Sequence, residues 1–234
     1  MAQEVLAEWG MAGVQHLRHR VAVLVIVDVL SFSTVLDVAV SRGAVVHPFR
    51  FGADAAAQAE AERLGAVMAR RRDEAGGFTL SPVSMLGITA GTRLLLPSPN
   101  GATLSLGARE KPVLAGCLRN AAAVADAARQ IAGDGNIGVV PAGERWPDDS
   151  LRPAIEDLLG AGAIIDRLGL PCSAEALVAR NAFRSAGADL PALIRSSLSG
   201  QELIGRGFPG DVDLAVEQEV SRTVPRLRDG AFRA

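Results

Sequence analysis

The sequence contains no tyrosine, two cysteines, three histidines and a single lysine, Lys111, and each shortage excludes a kind of chemistry. Without tyrosine, no phenolic acid or nucleophile exists. Two cysteines cannot build a disulfide framework or a cysteine-rich zinc site. Because Lys111 precedes a proline in a predicted surface turn, a Gly-Lys-Ser/Thr phosphate loop is excluded and Schiff-base chemistry is disfavoured. Catalysis must be sought among carboxylates, hydroxyls, amides and arginines.

The charge and the hydropathy pattern disfavour two further classes of protein. The net charge is -2 and the pI is about 6.0, whereas a nucleic-acid binder usually has a basic surplus. No uncharged apolar run approaches the roughly 20 residues of a membrane span, and the N-terminal residues lack the basic start of a secretory signal. We expect a cytoplasmic protein with no nucleic-acid or membrane partner. Its 234 residues predict one domain over 1–234, and a homodimer is the default expectation for a cytoplasmic protein of this size.

The apolar pattern predicts strands that alternate with helices. Residues 21–27 form a continuous, mostly β-branched run, which is typical of a strand buried on both faces of a parallel sheet. Further strands are predicted at 44–46, 93–96, 113–115, 137–140 and 223–224. Helices are predicted at 34–41, 53–64, 102–108, 121–131 and 155–168, and over most of 173–223. This alternation predicts an α/β fold whose mostly parallel sheet is covered by helices on both faces.

One segment, 70–91, has no periodicity and begins with an arginine run. A loop of about twenty residues is longer than compact domains usually tolerate without a functional reason. A solvated excursion of the chain would explain it equally well.

Polar residues follow four of the predicted strands, at 28–34, 98–101, 119–120 and 143–145. Parallel strands would bring all four segments to one edge of the sheet, where α/β proteins bind ligands. Ser31, Ser33, Asn100 and Asn120 stand where helix N-caps are expected, and free N–H groups at helix starts bind anions. Capping alone explains any one of them. Together on one edge they favour a phosphate-sized site.

Acidic residues indicate a hard cation at the same edge. Asp28 directly follows a buried strand, where a charge without a partner is costly, so a metal ion or an arginine must compensate it. Glu156 and Asp157 lie early in a predicted helix, and Gly160-Ala161-Gly162 predicts close packing that turns one of the two acids inward. Oxygen ligands with few nitrogens or sulfurs favour Mg²⁺ over zinc.

At these segments the sequence resembles the 2-phosphosulfolactate phosphatase (ComB) family. The family's Asp-Val-Leu-Arg-Ala-Thr-Thr is similar to residues 28–34, and its Asn-Ser-Pro to residues 80–82. Its Thr-Thr-Ser-Asn-Gly-Thr shares the Asn-Gly core of residues 97–102. Asn120 before an alanine-rich helix, Ala142-Gly143, and Glu156-Asp157 through Ala161-Gly162 also match. The chain's closing matches are Gly207-Phe208 through Asp211, and then Val224-Pro225.

The resemblance covers most of the chain from about residue 21. It implies a three-layer α/β/α fold with a mostly parallel or mixed central sheet. It also implies a Mg²⁺-dependent phosphatase that converts 2-phosphosulfolactate to sulfolactate and phosphate, on the way to coenzyme M. The family's arginine in the first motif is Ser31 here, and the asparagine of the second is Leu80. An arginine from a neighbouring loop, one of Arg70, Arg71, Arg72, Arg119 and Arg145, would have to take its place.

These observations together assign candidate roles. The catalytic candidates are Asp28, Arg145 and Glu156. The candidate phosphate-binding residues are Ser31, Ser33, Thr34, Ser98, Asn100, Gly101, Arg119 and Asn120. The candidate Mg²⁺ ligands are Asp28 and Glu156, with Asp157 and Asp211 in reserve. The nucleophile stays open between a water activated by the metal and Asp28 itself. Two alternatives are a non-enzymatic anion-binding α/β domain and an enzyme acting on another small anionic metabolite, as a hydrolase or an isomerase.

Overall fold

The fold, seen in a computed structural model that describes residues 3–52, 54–74 and 76–234, is a mixed β-sheet covered by helices. The strands are β1 (Val5–Ala7), β2 (Val23–Val27), β3 (Val45–Arg50), β4 (Val67–Met68), β5 (Arg93–Ser98), β6 (Val113–Gly116), β7 (Ile137–Pro141), β8 (Glu144–Arg145), β9 (Leu151–Arg152), β10 (Arg226–Arg228) and β11 (Ala231–Arg233). The helices are α1 (Gly10–Leu17), α2 (Phe32–Ser41), α3 (Asp54–Leu64), α4 (Gly101–Gly107), α5 (Ala121–Ala132), α6 (Ile155–Leu168), α7 (Ala174–Ala186), α8 (Leu190–Ser196), α9 (Leu198–Gly205) and α10 (Pro209–Ala215). Short 3₁₀ turns lie at Pro82–Gly87, Leu118–Asn120 and Gly187–Asp189.

The main sheet has nine strands in the order β1-β7-β2-β6-β10-β11-β3-β5-β4 within the described ranges. The strands β1, β7, β2 and β6 pair in parallel, and so do β3, β5 and β4. The hairpin β10–β11 lies between these two groups, and every pairing across it is antiparallel. The predicted α/β class is therefore confirmed, in its mixed form.

The two faces of β2 supply two separate hydrophobic cores. Val23, Val25 and Val27 pack with α5, α6 and α7 on one side of the sheet. Leu24 and Ile26 pack with α1, α2 and α4 on the other. Successive side chains of a strand point to opposite faces, so a run without alternation is buried on both. This confirms the three-layer arrangement that the resemblance implied.

Most of the predicted elements are confirmed, within a few residues at their ends. The helix Ile155–Leu168 has the predicted bounds. The described residues of 70–91 are irregular except for an isolated bridge between Arg70 and Thr79 and the 3₁₀ turn. The prediction was wrong at the C-terminus. The last helix ends at Ala215, and a hairpin follows at β10–β11 instead of a strand at 223–224. Asp229 and Gly230 close this hairpin with positive φ angles, and this Asp-Gly pair was the sequence signal for it.

The N-terminal elements β1 and α1 were not predicted either. They are short, three and eight residues long, so their apolar pattern is brief. The helices of the described ranges do not combine the length and apolar character that crossing a membrane requires.

A pH-dependent loss of stability is expected from His47 on β3. Burial, with the positive charges of Arg93 and Arg233 adding to it, lowers the pKa of His47 below its ordinary value. Between the lowered pKa and the ordinary value of about 6.5, the unfolded chain binds a proton at this site that the folded chain does not. The free energy of unfolding should therefore fall as the pH decreases through about 6.5.

Urea unfolding of the wild type and of His47→Gln at about pH 7.5 and about pH 5.5 measures this effect. Glutamine does not titrate, so the variant should lose less stability than the wild type between the two pH values. Equal losses in the two proteins would contradict the assignment to His47.

Candidate active site

The first strand of the predicted site, β2, ends at a buried carboxylate, Asp28, which ties two helix starts together. Its Oδ1 accepts a hydrogen bond from the backbone N–H of Phe32 (3.1 Å), at the start of α2. Its Oδ2 accepts one from the N–H of Gly101 (2.9 Å), at the start of α4. Residues 73 positions apart in the chain thus meet, as predicted. Burial raises the pKa of Asp28 to about 6, and the charge of Glu156 adds to the rise.

The predicted reason for this meeting needs a correction. Three antiparallel pairings separate β6 from β3, so β5, which is parallel to β3, is not parallel to β2. The carboxyl ends of β2, β6 and β7 share one edge, but that of β5 is not brought there by a continuous parallel sheet. Close packing of Gly101 on Phe32 joins the two segments instead. A Cβ at position 101 would lie 2.3 Å from a ring carbon of Phe32.

A second acid, Glu144, belongs to the site and was missed among the assigned residues. It lies on β8, just beyond the end of β7, and its Oε2 accepts a hydrogen bond from the side-chain amide of Asn100 (2.8 Å). Burial, and next the charge of Asp28, raise the pKa of Glu144 to about 7. The signal was present in the sequence, because Glu144 lies in one of the four segments that follow strands. The predicted catalytic residue of that segment is the neighbouring Arg145.

Glu156 and Asp157 are both turned inward on α6, with 2% and 3% of their surfaces exposed. Asp157 binds backbone: its two oxygens accept hydrogen bonds from the N–H groups of Val29 (2.7 Å) and Gly143 (2.9 Å). Burial raises the pKa of Asp157 well above its ordinary value. Glu156 accepts a hydrogen bond from Ser197 Oγ (3.2 Å). Asp157 therefore fastens the loops after β2 and β7 to each other, and Glu156 adds charge beside Asp28.

The close packing predicted for the glycines of α6 is confirmed. A Cβ on Gly160 would lie 2.6 Å from Val29, and one on Gly162 would lie 2.2 Å from the carbonyl oxygen of Ala179 on α7. The missing side chains let α6 approach the sheet and α7, and this approach carries both acids inward.

Three of the predicted hydroxyl residues bond within the protein. Ser33 Oγ accepts from the N–H of Asp28 (3.0 Å) and donates to the carbonyl of Ile26, and Thr34 Oγ1 donates to the carbonyl of Val29 (2.8 Å). Ser31 Oγ accepts from Nη2 of Arg72 (2.7 Å). Ser33 was predicted to be an N-cap, but it lies inside α2, whose N-cap is Ser31.

Ser98 differs from these residues. Its Oγ is buried with no hydrogen-bond partner in the described part of the chain, at the end of β5. Ser31, Asn100 and Asn120 do occupy N-cap positions, but none of their side chains caps its helix. Among the predicted phosphate-binding hydroxyls, that of Ser98 is therefore the one without a hydrogen-bond partner in the described ranges.

Arg119 and Asn120 are engaged in the structure around α2 and the C-terminal segment. Arg119 pairs with the buried Asp37 of α2 (2.9 Å) and with Glu217. Asn120 accepts from the N–H of Cys117 (2.9 Å) and donates to the carbonyl of Thr223 (3.0 Å). Both side chains are therefore bonded within the protein, and their predicted contact with phosphate stays a prediction.

Asp211 and Arg145 each have an ion-pair partner within the protein, and their predicted roles stay predictions. Asp211, on α10, accepts a hydrogen bond from Ser81 and lies 3.7 Å from Nε of Arg72, so it is the counter-ion of an arginine. Arg145 forms an exposed ion pair with Asp149 (2.6 Å) and lines the cavity described below.

A cavity of about 830 Å³ opens beside Glu144. Arginines outnumber acids in its lining, six to four. The arginines are Arg70, Arg71, Arg72, Arg145, Arg152 and Arg206. The irregular segment 70–91 supplies half of these arginines, so this long loop borders the cavity. Guanidinium groups around a cavity suit a ligand with several negative charges.

The donors available to a cation are carboxylates. In the described ranges, no group of three His, Cys, Asp or Glu residues is arranged to hold a metal ion. Asp28 and Glu144 nevertheless repel each other when both are charged, because the charge of Asp28 contributes to the raised pKa of Glu144. Mg²⁺ usually takes one or two protein carboxylates together with water and substrate oxygens. The two acids fit that pattern.

Comparisons with known proteins agree on one family. A family model described as 2-phosphosulpholactate phosphatase matches residues 12–230. A protein of Methanothermobacter thermautotrophicus named 2-phosphosulfolactate phosphatase is 35% identical over 214 residues, which cover 88% of this chain and 87% of the relative. Probable 2-phosphosulfolactate phosphatases of Carboxydothermus hydrogenoformans (31% identical, covering 88% of this chain and 87% of the relative) and Pseudothermotoga lettingae (28%, covering 90% and 91%) are also similar.

Proposed function

The chain belongs to the 2-phosphosulfolactate phosphatase family, whose members are phosphoric monoester hydrolases, and we propose that it hydrolyses 2-phosphosulfolactate with Mg²⁺. The observation that carries this proposal is the arginine-lined cavity that Glu144 borders, with the charge of Asp28 acting on Glu144. The substrate carries a phosphate, a carboxylate and a sulfonate on a short carbon skeleton. Guanidinium groups bind such oxyanions with two parallel hydrogen bonds.

Asp28 and Glu144 are the residues that would hold Mg²⁺. Both are largely removed from water, and a bound cation would relieve the repulsion between their charges. When bound, Mg²⁺ neutralises phosphate oxygens and polarises the phosphorus centre. Glu156 adds negative charge near both acids and strengthens the attraction for a cation.

The contacts of Asp28 favour water over Asp28 as the nucleophile. Each of its oxygens is fixed by a backbone N–H group, one from α2 and one from α4. A carboxylate held in this way orients its surroundings and is poorly placed to move toward phosphorus. Water then attacks phosphorus, the ester P–O bond breaks, and the leaving alkoxide takes up a proton to give sulfolactate and phosphate.

Ser98 is the residue that we assign to the phosphate. Its buried hydroxyl has no hydrogen-bond partner among the described residues, and Ser98 ends β5, close in sequence to Asn100 and Gly101. An unsatisfied buried hydroxyl costs about 1–3 kcal/mol, which a hydrogen bond to a phosphate oxygen would recover.

Phosphate release from 2-phosphosulfolactate tests the proposal. The purified wild-type protein should release phosphate with Mg²⁺, lose that activity in EDTA, and regain it when Mg²⁺ is restored. Unchanged release in EDTA would contradict the metal assignment, and no release under any of these conditions would contradict the proposed substrate. Unfolding in the presence and absence of EDTA provides the control for loss of structure.

A cytoplasmic location, a homodimeric state and a place on the route to coenzyme M remain predictions that accompany this function.

A further inference from the structure

Arg72 brings a guanidinium to Ser31, the position at which this chain lacks the arginine of the family motif. It lies on the irregular loop, 41 residues from Ser31, and donates to Ser31 Oγ through Nη2 (2.7 Å). The same Nη2 donates to the carbonyl of Leu80, at the second position where the chain departs from the family motif. Its side chain is only 10% exposed, and it lines the large cavity.

Two neighbours hold the Arg72 guanidinium in place. Oδ2 of Asp211 is 3.7 Å from its Nε, and this oxygen is buried with no hydrogen-bond partner in the part of the chain described. The ring of Phe208 lies beneath the guanidinium, 5.3 Å from Cζ to the ring centroid. An ion pair and an aromatic platform together restrict a side chain that would otherwise be flexible.

The guanidinium still has donors to offer. Arginine has five N–H groups, and the hydrogen bonds of Arg72 in the described ranges use only those of Nη2. The Nη1 group has its hydrogens available. Arg206 approaches the same Phe208 ring (5.8 Å) and also lines the cavity, so a second positive charge lies nearby.

We propose that Arg72 is a specificity-determining residue that binds the substrate's non-reacting anionic group, a carboxylate or a sulfonate, while the phosphate lies at Asp28 and Glu144. Ser31 is three residues beyond Asp28, so a group bound at Arg72 is a close neighbour of the phosphate. This inference rests on the proposed function, since it assigns the second contact of the same substrate.

Three phosphoesters separate the possible roles of Arg72. These are p-nitrophenyl phosphate, with no other anion; 2-phospholactate, with a carboxylate; and 2-phosphosulfolactate, with both groups. For Arg72→Met, kcat/KM should fall roughly 10- to 100-fold for an ester whose second anion Arg72 binds, mainly through KM. For p-nitrophenyl phosphate it should change less than about threefold. Arg72→Lys, which keeps the charge without the fork, should fall in between.

The pattern of losses identifies the bound group. A loss with both acidic esters assigns the carboxylate, and a loss confined to 2-phosphosulfolactate assigns the sulfonate. Equal losses with all three esters, or no loss with any, would overturn the proposal. Arg63→Met, on the exposed face of α3, is the matched control and should leave all three rates unchanged. Thermal unfolding of each variant monitors folding.

Binding of sulfolactate, measured by calorimetry, keeps the test independent of turnover. If the wild type fails to hydrolyse 2-phosphosulfolactate, the proposed function is wrong, and the affinity for sulfolactate still decides the role of Arg72. The wild type should bind it roughly 10- to 100-fold more tightly than Arg72→Met. Equal affinities, or no binding by the wild type, would overturn the inference.

Discussion

Replacing Asp28 with asparagine is expected to lower kcat by at least about 100-fold at saturating Mg²⁺. The carboxylate is the negative charge that directly follows β2, and its two oxygens join the starts of α2 and α4 through hydrogen bonds of 3.1 and 2.9 Å. Asparagine keeps the shape but removes the charge that would attract Mg²⁺. Steady-state phosphate release from 2-phosphosulfolactate measures the effect.

The same substitution should also cost stability. The asparagine amide nitrogen cannot accept a hydrogen bond, so the N–H of either Phe32 or Gly101 loses its partner, at about 1–3 kcal/mol. Thermal unfolding must therefore accompany the kinetics, and rates are compared only below the variant's transition. Asp126→Asn is the control, because Asp126 is exposed and its partner within the described ranges is Arg129 of the same helix. A folded Asp28→Asn enzyme with near wild-type turnover would contradict the assignment.

Gly162→Ala should destabilise the protein by about 2 kcal/mol, even though alanine is the better helix former. The added Cβ would lie 2.2 Å from the carbonyl oxygen of Ala179 and 2.7 Å from Cβ of Phe183. Overpacking of this kind costs up to about 3 kcal/mol, while helix propensity returns about 1 kcal/mol. The clash wins because the nearest atom is backbone of α7, which cannot rotate away.

Urea unfolding of wild type, Gly162→Ala and Gly205→Ala tests this balance. Gly205 ends α9, and a Cβ there would have no atom within 4 Å, so the control gains propensity without a clash. It should be as stable as the wild type or slightly more stable. Equal stability of Gly162→Ala and Gly205→Ala would show that α6 and α7 move apart without cost.

Local sequence patterns determined the elements of this fold because each depends on neighbours in the chain. The run at 21–27 predicted a strand buried on both faces, and Val25 and Ile26 do pack into opposite cores. The glycines of α6 predicted close packing, which Gly162 confirms. The hairpin at β10–β11 was not predicted, although the sequence contains its Asp-Gly turn. Its two strands have only three residues each, which is too short for a clear apolar pattern.

The partners of the polar side chains were decided by tertiary structure alone. Ser98 ends β5 and Asn120 follows β6, and both were predicted to bind phosphate. Yet the amide of Asn120 is occupied by Cys117 and Thr223, whereas the hydroxyl of Ser98 has no partner in the described ranges. The contact of Asn120 with Thr223 joins residues 103 positions apart, whose distance depends on how whole elements pack.

The sequence by itself determined the class of fold, the acid after β2, and the small set of arginines from which a replacement for the family's arginine had to come. Only the tertiary structure brought Arg72 to Ser31 and Glu144 to Asn100. The physical reason is range. Apolar periodicity and turn residues act over a few positions, whereas a hydrogen bond between Arg72 and Ser31 exists only after a mixed sheet and its helices have closed around both.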